Sequence, residues 1–139
     1  EIQKLKDLTG KMIAVQETSK AEEYFLRSDF EGIPDVSLVY CFSNMDEVFA
    51  ALRKNYVEAI CGHESALISF INTAPDEYRL LDESFLYSAL GVAFDIQYDE
   101  EFVEELFKTL GDMMNDGTIA AIVGKYGLDA EKSLGRGND

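Results

Sequence analysis

The stretch that most constrains this chain is Gly10 to Phe25, GKMIAVQETSKAEEYF. Met12, Ile13, Ala14 and Val15 are a short apolar run with β-branched content, the pattern of a strand covered on both faces. Gln16 to Ser19 reads as a turn. Ser19 is placed to cap a helix that starts at Lys20, and Glu22 stands where a capping box puts its acid. A strand that runs straight into a helix start points unpaired backbone N–H groups into the crevice at the sheet edge. The partial positive charge there favours a carboxylate or phosphate.

The pattern then repeats. Val36 to Cys41 reads as a second strand, followed by Ser43, Asn44, Asp46 and Glu47 as a helix start; Val48, Phe49 and Leu52 are the apolar face of that helix. Val57 to Gly62 reads as a third strand, with Leu67, Ile68 and Ile71 on the helix after it. Arg79 to Leu81 is expected as a short fourth strand, and Phe85 to Phe94 as a longer one that Gly91 breaks or bends. From Asp99 the period changes: Phe102, Val103, Leu106, Phe107, Leu110, Met113 and Met114 trace one face of a long helix. Asp116 and Gly117 end it, a shorter helix starts at Thr118, and Ala130 to Asp139 reads as a frayed tail.

Alternating strands and helices predict an α/β fold with a mainly parallel central sheet, helices on both faces and extra C-terminal helices. Ligands of such sheets bind outside the carboxyl ends of the strands, where strand order reverses. Gln16–Ser19, Phe42–Asn44 and Gly62–Ser65 are the loops expected at that edge.

Charge narrows the partners. A net charge of −15 repels phosphate backbones and anionic membrane surfaces, so no nucleic acid is expected. No stretch is apolar for long enough to span a bilayer, and the opening residues have no apolar signal-peptide core. On that ground alone the chain is expected to be cytoplasmic or a processed piece of something longer. The single histidine excludes a multi-histidine metal site. Cys61, His63, Glu64 and Ser65 invite a nucleophile–base reading. Strand alternation separates Cys61 and His63 by roughly 6 to 7 Å, and GHESA departs from the GxSxG elbow. No enzyme activity and no cofactor are expected.

The residues LTGKMIAVQETSKAEEYF, MDEVFAALRKNYVEAICGHESAL and YSALGVAFDIQYDEEFVEELFKTLGDMMNDGTIAAIVGKYG resemble, nearly end to end, the second lobe of type 2 periplasmic solute-binding proteins. The similarity is to the polar amino acid group (family 3) of ABC importers, and DGT and KYG are its most specific part. It implies a two-lobed clamp outside the cytoplasm that closes on a small polar, amino-acid-like solute and delivers it to an ABC permease. Residues 1–94 would be the second lobe. Residues 95–139 would be a helical segment returning to a first lobe expected ahead of Glu1; without that lobe, the C-terminal helix is expected to fold onto its own lobe, to dimerise, to swap, or to be poorly ordered.

Carried over by position, Thr18 falls on the family's glycine and Ser19 on the Ser/Thr that holds the α-carboxylate. His63 falls where the family has the aspartate that pairs with the α-ammonium, and Glu64 stands beside it. Thr18, Ser19, His63 and Glu64 are therefore the candidate ligand-binding residues. Two departures weigh against an ordinary α-amino acid: an imidazole is no fixed negative partner for an ammonium, and Glu17 would repel a carboxylate. The same resemblance leaves open a ligand-sensing domain of a receptor kinase or cyclase, a dehydratase-like enzyme, or the effector domain of a regulator.

Overall fold

The computed structural model describes residues 1–27, 30–84 and 91–135. They fall into two compact units, Glu1–Tyr87 and Ser88–Asp139.

In the first unit a 3₁₀ turn, Leu5–Leu8, leads into β1 (Met12–Gln16), α1 (Lys20–Leu26), β2 (Leu38–Phe42), α2 (Met45–Arg53), β3 (Ala59–Cys61) and α3 (Glu64–Ile71). The sheet is parallel, in the order β2-β1-β3. Strand alternation sorts the central strand onto two faces. Ala14 packs with Val48, Ala51 and Val57, so α2 covers one side. Ile13 and Val15 pack with Leu8, Ala21 and Phe25, so α1 and the 3₁₀ turn cover the other. Helices thus lie on both faces, as alternation predicts. α3 is fixed to α2 by Phe70, stacked on Phe49 at 4.4 Å between ring centroids, with the Arg53 guanidinium 4.9 Å from its centroid.

Several expectations change. β2 begins at Leu38 rather than Val36, because Asp35 and Ser37 bond to Gly10 and Lys11 as the chain approaches the sheet. β3 is shorter than Val57–Gly62. Arg79 to Leu81 form no strand: the Arg79 guanidinium donates to the Ile2 carbonyl, and Glu83 accepts the Leu5 N–H at 2.6 Å, so side chains tie this segment to the 3₁₀ region. Of the expected Phe85–Phe94 strand, residues 85–90 lie outside the described residues, and 91–94 are not strand.

The second unit holds α4 (Glu100–Asn115), α5 (Thr118–Lys125) and α6 (Ala130–Leu134). Asp99 caps α4, accepting the Glu101 N–H at 3.0 Å. Gly117, at φ 83°, turns the chain between α4 and α5. Asp116 accepts the Thr118 N–H at 2.8 Å, and bonds from the Thr118 hydroxyl and amide hold its carboxyl below the usual range. The expected tail contains instead a short helix, capped by Asp129 at the Lys132 N–H. None of the three helices buries a residue fully, and Phe107 and Met114 of the expected apolar face are exposed.

Candidate functional site

β1 is the middle strand, and the chain moves from it first to β2 on one side and then to β3 on the other. Strand order therefore reverses between β1 and β3, where open parallel sheets place their ligands. The registers Gln16↔Phe42 and Val15↔Cys61 bring the carboxyl ends of all three strands to one sheet edge. Thr18 and Ser19 leave β1 there, Ser43 and Asn44 leave β2, and His63 and Glu64 leave β3. The four candidate residues thus stand on adjacent loops, one strand spacing apart, or roughly 4.8 Å at the sheet.

The β1–α1 turn is closed by its own hydrogen bonds. Glu17 N–H donates to the Phe42 carbonyl at 2.8 Å, fastening the turn to β2. Ser19 caps α1: its Oγ accepts the Glu22 N–H at 3.3 Å and donates to the Gln16 carbonyl at 2.6 Å. The reciprocal arm of the capping box lands one residue early, because the Glu22 carboxylate takes the Thr18 N–H at 2.7 Å. The Thr18 hydroxyl donates to the Glu17 carbonyl at 2.7 Å. Thr18 N–H, Thr18 O–H and Ser19 O–H are all bonded within the turn. The amides of Lys20 and Ala21, in the first helical turn, lack intrahelical acceptors.

Thr18 has φ 58°, in the left-handed region. The resemblance puts Thr18 on a glycine position, and this backbone angle is the physical reason a glycine suits it.

The second loop is also tied internally. Asn44 Oδ1 accepts the Glu47 N–H at 3.0 Å, and Glu47 Oε2 accepts the Ser43 N–H at 3.2 Å and its hydroxyl at 3.0 Å. The third loop is different. His63 stands at the N-cap of α3, where its backbone carbonyl accepts the Ala66 and Leu67 amides at 3.0 and 3.1 Å. Its exposed imidazole makes no capping bond. Glu64 is half-buried in the first turn of α3.

Sequence reasoning overlooked the contact joining the second and third loops. A Cβ on Gly62 would come within 3.0 Å of Met45 Cε, so α2 crosses closely over the end of β3. The signal was the glycine directly after the strand.

Charge at this edge is mostly negative. Glu17 and Asp46 are exposed, and Lys20 is bound to Glu23 at 2.5 Å, an acid that Arg27 also reaches at 3.0 Å. Burial, and for Cys41 also a bond to Glu22, pushes the Cys41 and Cys61 thiols up to about 11. Neither thiol is shifted toward the thiolate that a Cys–His pair would use. Among the described residues no group of His, Cys, Asp and Glu is arranged to hold a metal ion, and no helix is long and apolar enough to cross a membrane. A cavity of about 370 Å³ lies between the 3₁₀ turn, α1 and the α1–β2 connection; it is lined by Leu5, Tyr24 and Phe30 among others and by none of the candidate residues.

No protein-family model matches the chain, and no curated protein matches it. Solved structures do. An ancestral arginine-binding protein bound to arginine aligns with a TM-score of 0.66 at 27% identity, covering 90% of this chain and 54% of that one. An ancestral arginine-binding protein bound to glutamine aligns with a TM-score of 0.65 at 27% identity, covering 90% of this chain and 53% of that one. The chain spans about half the length of these binding proteins. Parallel sheet, flanking helices and this likeness together give the chain the α/β fold of a periplasmic-binding-protein-like lobe.

Proposed function

We propose that this chain is the second lobe of a two-lobed solute-binding protein, which captures an amino-acid-like solute outside the cytoplasm and hands it to an ABC permease. The observation that carries this reading is the convergence of Thr18, Ser19, His63 and Glu64 on one sheet edge at the point of strand-order reversal. The likeness to arginine-binding proteins, one bound to arginine and one to glutamine, supports an amino acid as the ligand class. The ligand carboxylate meets the first-turn amides of α1 beside Ser19. Its ammonium faces His63 and Glu64. Nothing here calls for bond chemistry: capture is reversible and closure against a first lobe completes it.

Residues 95–139 serve, on this reading, to cross to that first lobe. The exposed Phe107, Met114 and Tyr126 are the apolar surface it covers. Half a clamp desolvates its ligand poorly and supplies half the contacts, so this chain binds with millimolar affinity or weaker.

The test is an NMR titration of the chain with arginine and with glutamine. Amide shifts that saturate at Thr18, Ser19, His63 and Glu64 support the reading. Silence at those residues, or shifts confined to the amino ends of the strands, removes it. Micromolar affinity for this chain overturns the half-clamp part of the proposal.

A further inference from the structure

Two non-glycine residues among those described have positive φ: Asn55 at 55° and Thr18 at 58°. Asparagine tolerates the left-handed region, but a β-branched side chain does not, because its Cβ substituents crowd the backbone there. Thr18 is therefore held in place by something other than its own preference. The bonds already described form a ring around it. Its N–H goes to Glu22 Oε2, the Glu22 N–H goes to Ser19 Oγ, and Ser19 O–H goes to the Gln16 carbonyl at the end of β1.

We infer that Glu22 is a positioning residue, whose carboxylate holds Thr18 in its left-handed conformation and so fixes the β1–α1 turn at the sheet edge. Ser19 alone already caps the helix. An acid in the first turn would favour the helix dipole whatever stood at position 18. A capping box would send the Glu22 carboxylate to the Ser19 amide; here it goes one residue earlier, to the amide of the left-handed Thr18, at 2.7 Å. The turn it closes is tied to β2 as well, through the Glu17 N–H that donates to the Phe42 carbonyl at 2.8 Å. In the binding protein proposed above, and resting on that reading, the Glu22–Thr18 bond sets the path of the chain where it leaves β1 at the solute-binding edge.

The experiment compares the chain with Glu22→Ala, Glu22→Gln, Thr18→Gly and the double variant Thr18→Gly/Glu22→Ala. Backbone NMR order of residues 17–19 is measured without ligand, and glutamine titrations follow. Glu22→Ala lowers order in the turn and weakens glutamine binding about tenfold, the size expected when a charged acceptor of a backbone amide is lost. Glu22→Gln keeps an acceptor and recovers most of both. On the Thr18→Gly background the glutamate has no strain to oppose, so removing it changes binding by less than about twofold. An equal loss on the threonine and glycine backgrounds overturns the inference and leaves Glu22 as a cap or dipole charge. Unchanged turn order in Glu22→Ala overturns it as well. If the turn responds as expected but glutamine and arginine bind to no variant, the binding role fails and the positioning role stands. Should Glu22→Ala not fold, Glu22→Gln and the double variant carry the comparison: a double variant that folds with an ordered turn supports the inference, and one that also fails to fold overturns it.

Discussion

Cys41 and Cys61 flank Val15 in one row of the sheet, each in register with it from opposite sides. Two strand spacings, roughly 9.6 Å, separate their Cα atoms, beyond the ~7 Å that a disulfide spans. Both are free thiols. Raised titration lets each stay neutral in the folded chain at a pH where the unfolded thiol ionises. Stability from Cys61 is therefore fully present below the unfolded value of 9.0 and is lost as pH climbs toward about 11. Urea unfolding at pH 8 and pH 10.5 should differ by about 2 kcal/mol on this account, and Cys61→Ser should shrink the difference. A Cys61→Ser curve that falls as steeply as the parent would contradict it.

Ile13 is 1% exposed in the layer beneath α1, whereas Leu26, at the end of that helix, is 59% exposed. Ile13→Ala should cost about 3 kcal/mol, from lost transfer energy plus a cavity that the sheet cannot collapse. Leu26→Ala should stay within about 0.5 kcal/mol of the parent. Chemical denaturation of the two variants side by side measures the contrast.

Gly111 and Gly117 both have open space where a Cβ would go, so their substitutions differ only through the backbone. Gly111 lies inside α4, and Gly111→Ala should stabilise by about 0.5 to 1 kcal/mol. Gly117 has φ 83°, and Gly117→Ala should cost about 1 kcal/mol. Helical circular dichroism against urea reads both signs.

His63 stands on the position that the resemblance assigns to an ammonium-binding aspartate. His63→Asp should strengthen glutamine binding about threefold, a typical gain for an exposed charge pair. His63→Asn, which lacks the charge, should not. Equal affinities in calorimetry would detach this residue from the ligand's ammonium.

Much of the sheet was legible because its signals are local. Met12 to Val15 could only be a covered strand, and Ser19 and Asn44 cap the helices that their sequence promised. β2 shifted because its start is decided by bonds from Asp35 and Ser37 to Gly10 and Lys11, partners far away in sequence. Arg79 to Leu81 have strand-like composition, but Arg79 and the nearby Glu83 bond to Ile2 and Leu5, which no periodicity announces. At the candidate site, topology brought the expected loops together. The sequence did not reveal that Glu22 would bond to Thr18 instead of the cap residue, because that depends on a backbone angle. Nor did it reveal how closely Met45 passes over Gly62.

The carboxylates of Glu22 and Glu47 fasten two of the three loops at the sheet edge before any ligand arrives. Immobilising those loops is thus settled during folding, and a visiting molecule need not freeze them again. Whatever docks on this rim meets a template whose contours are already set, so selectivity there should follow shape and charge more than adaptability.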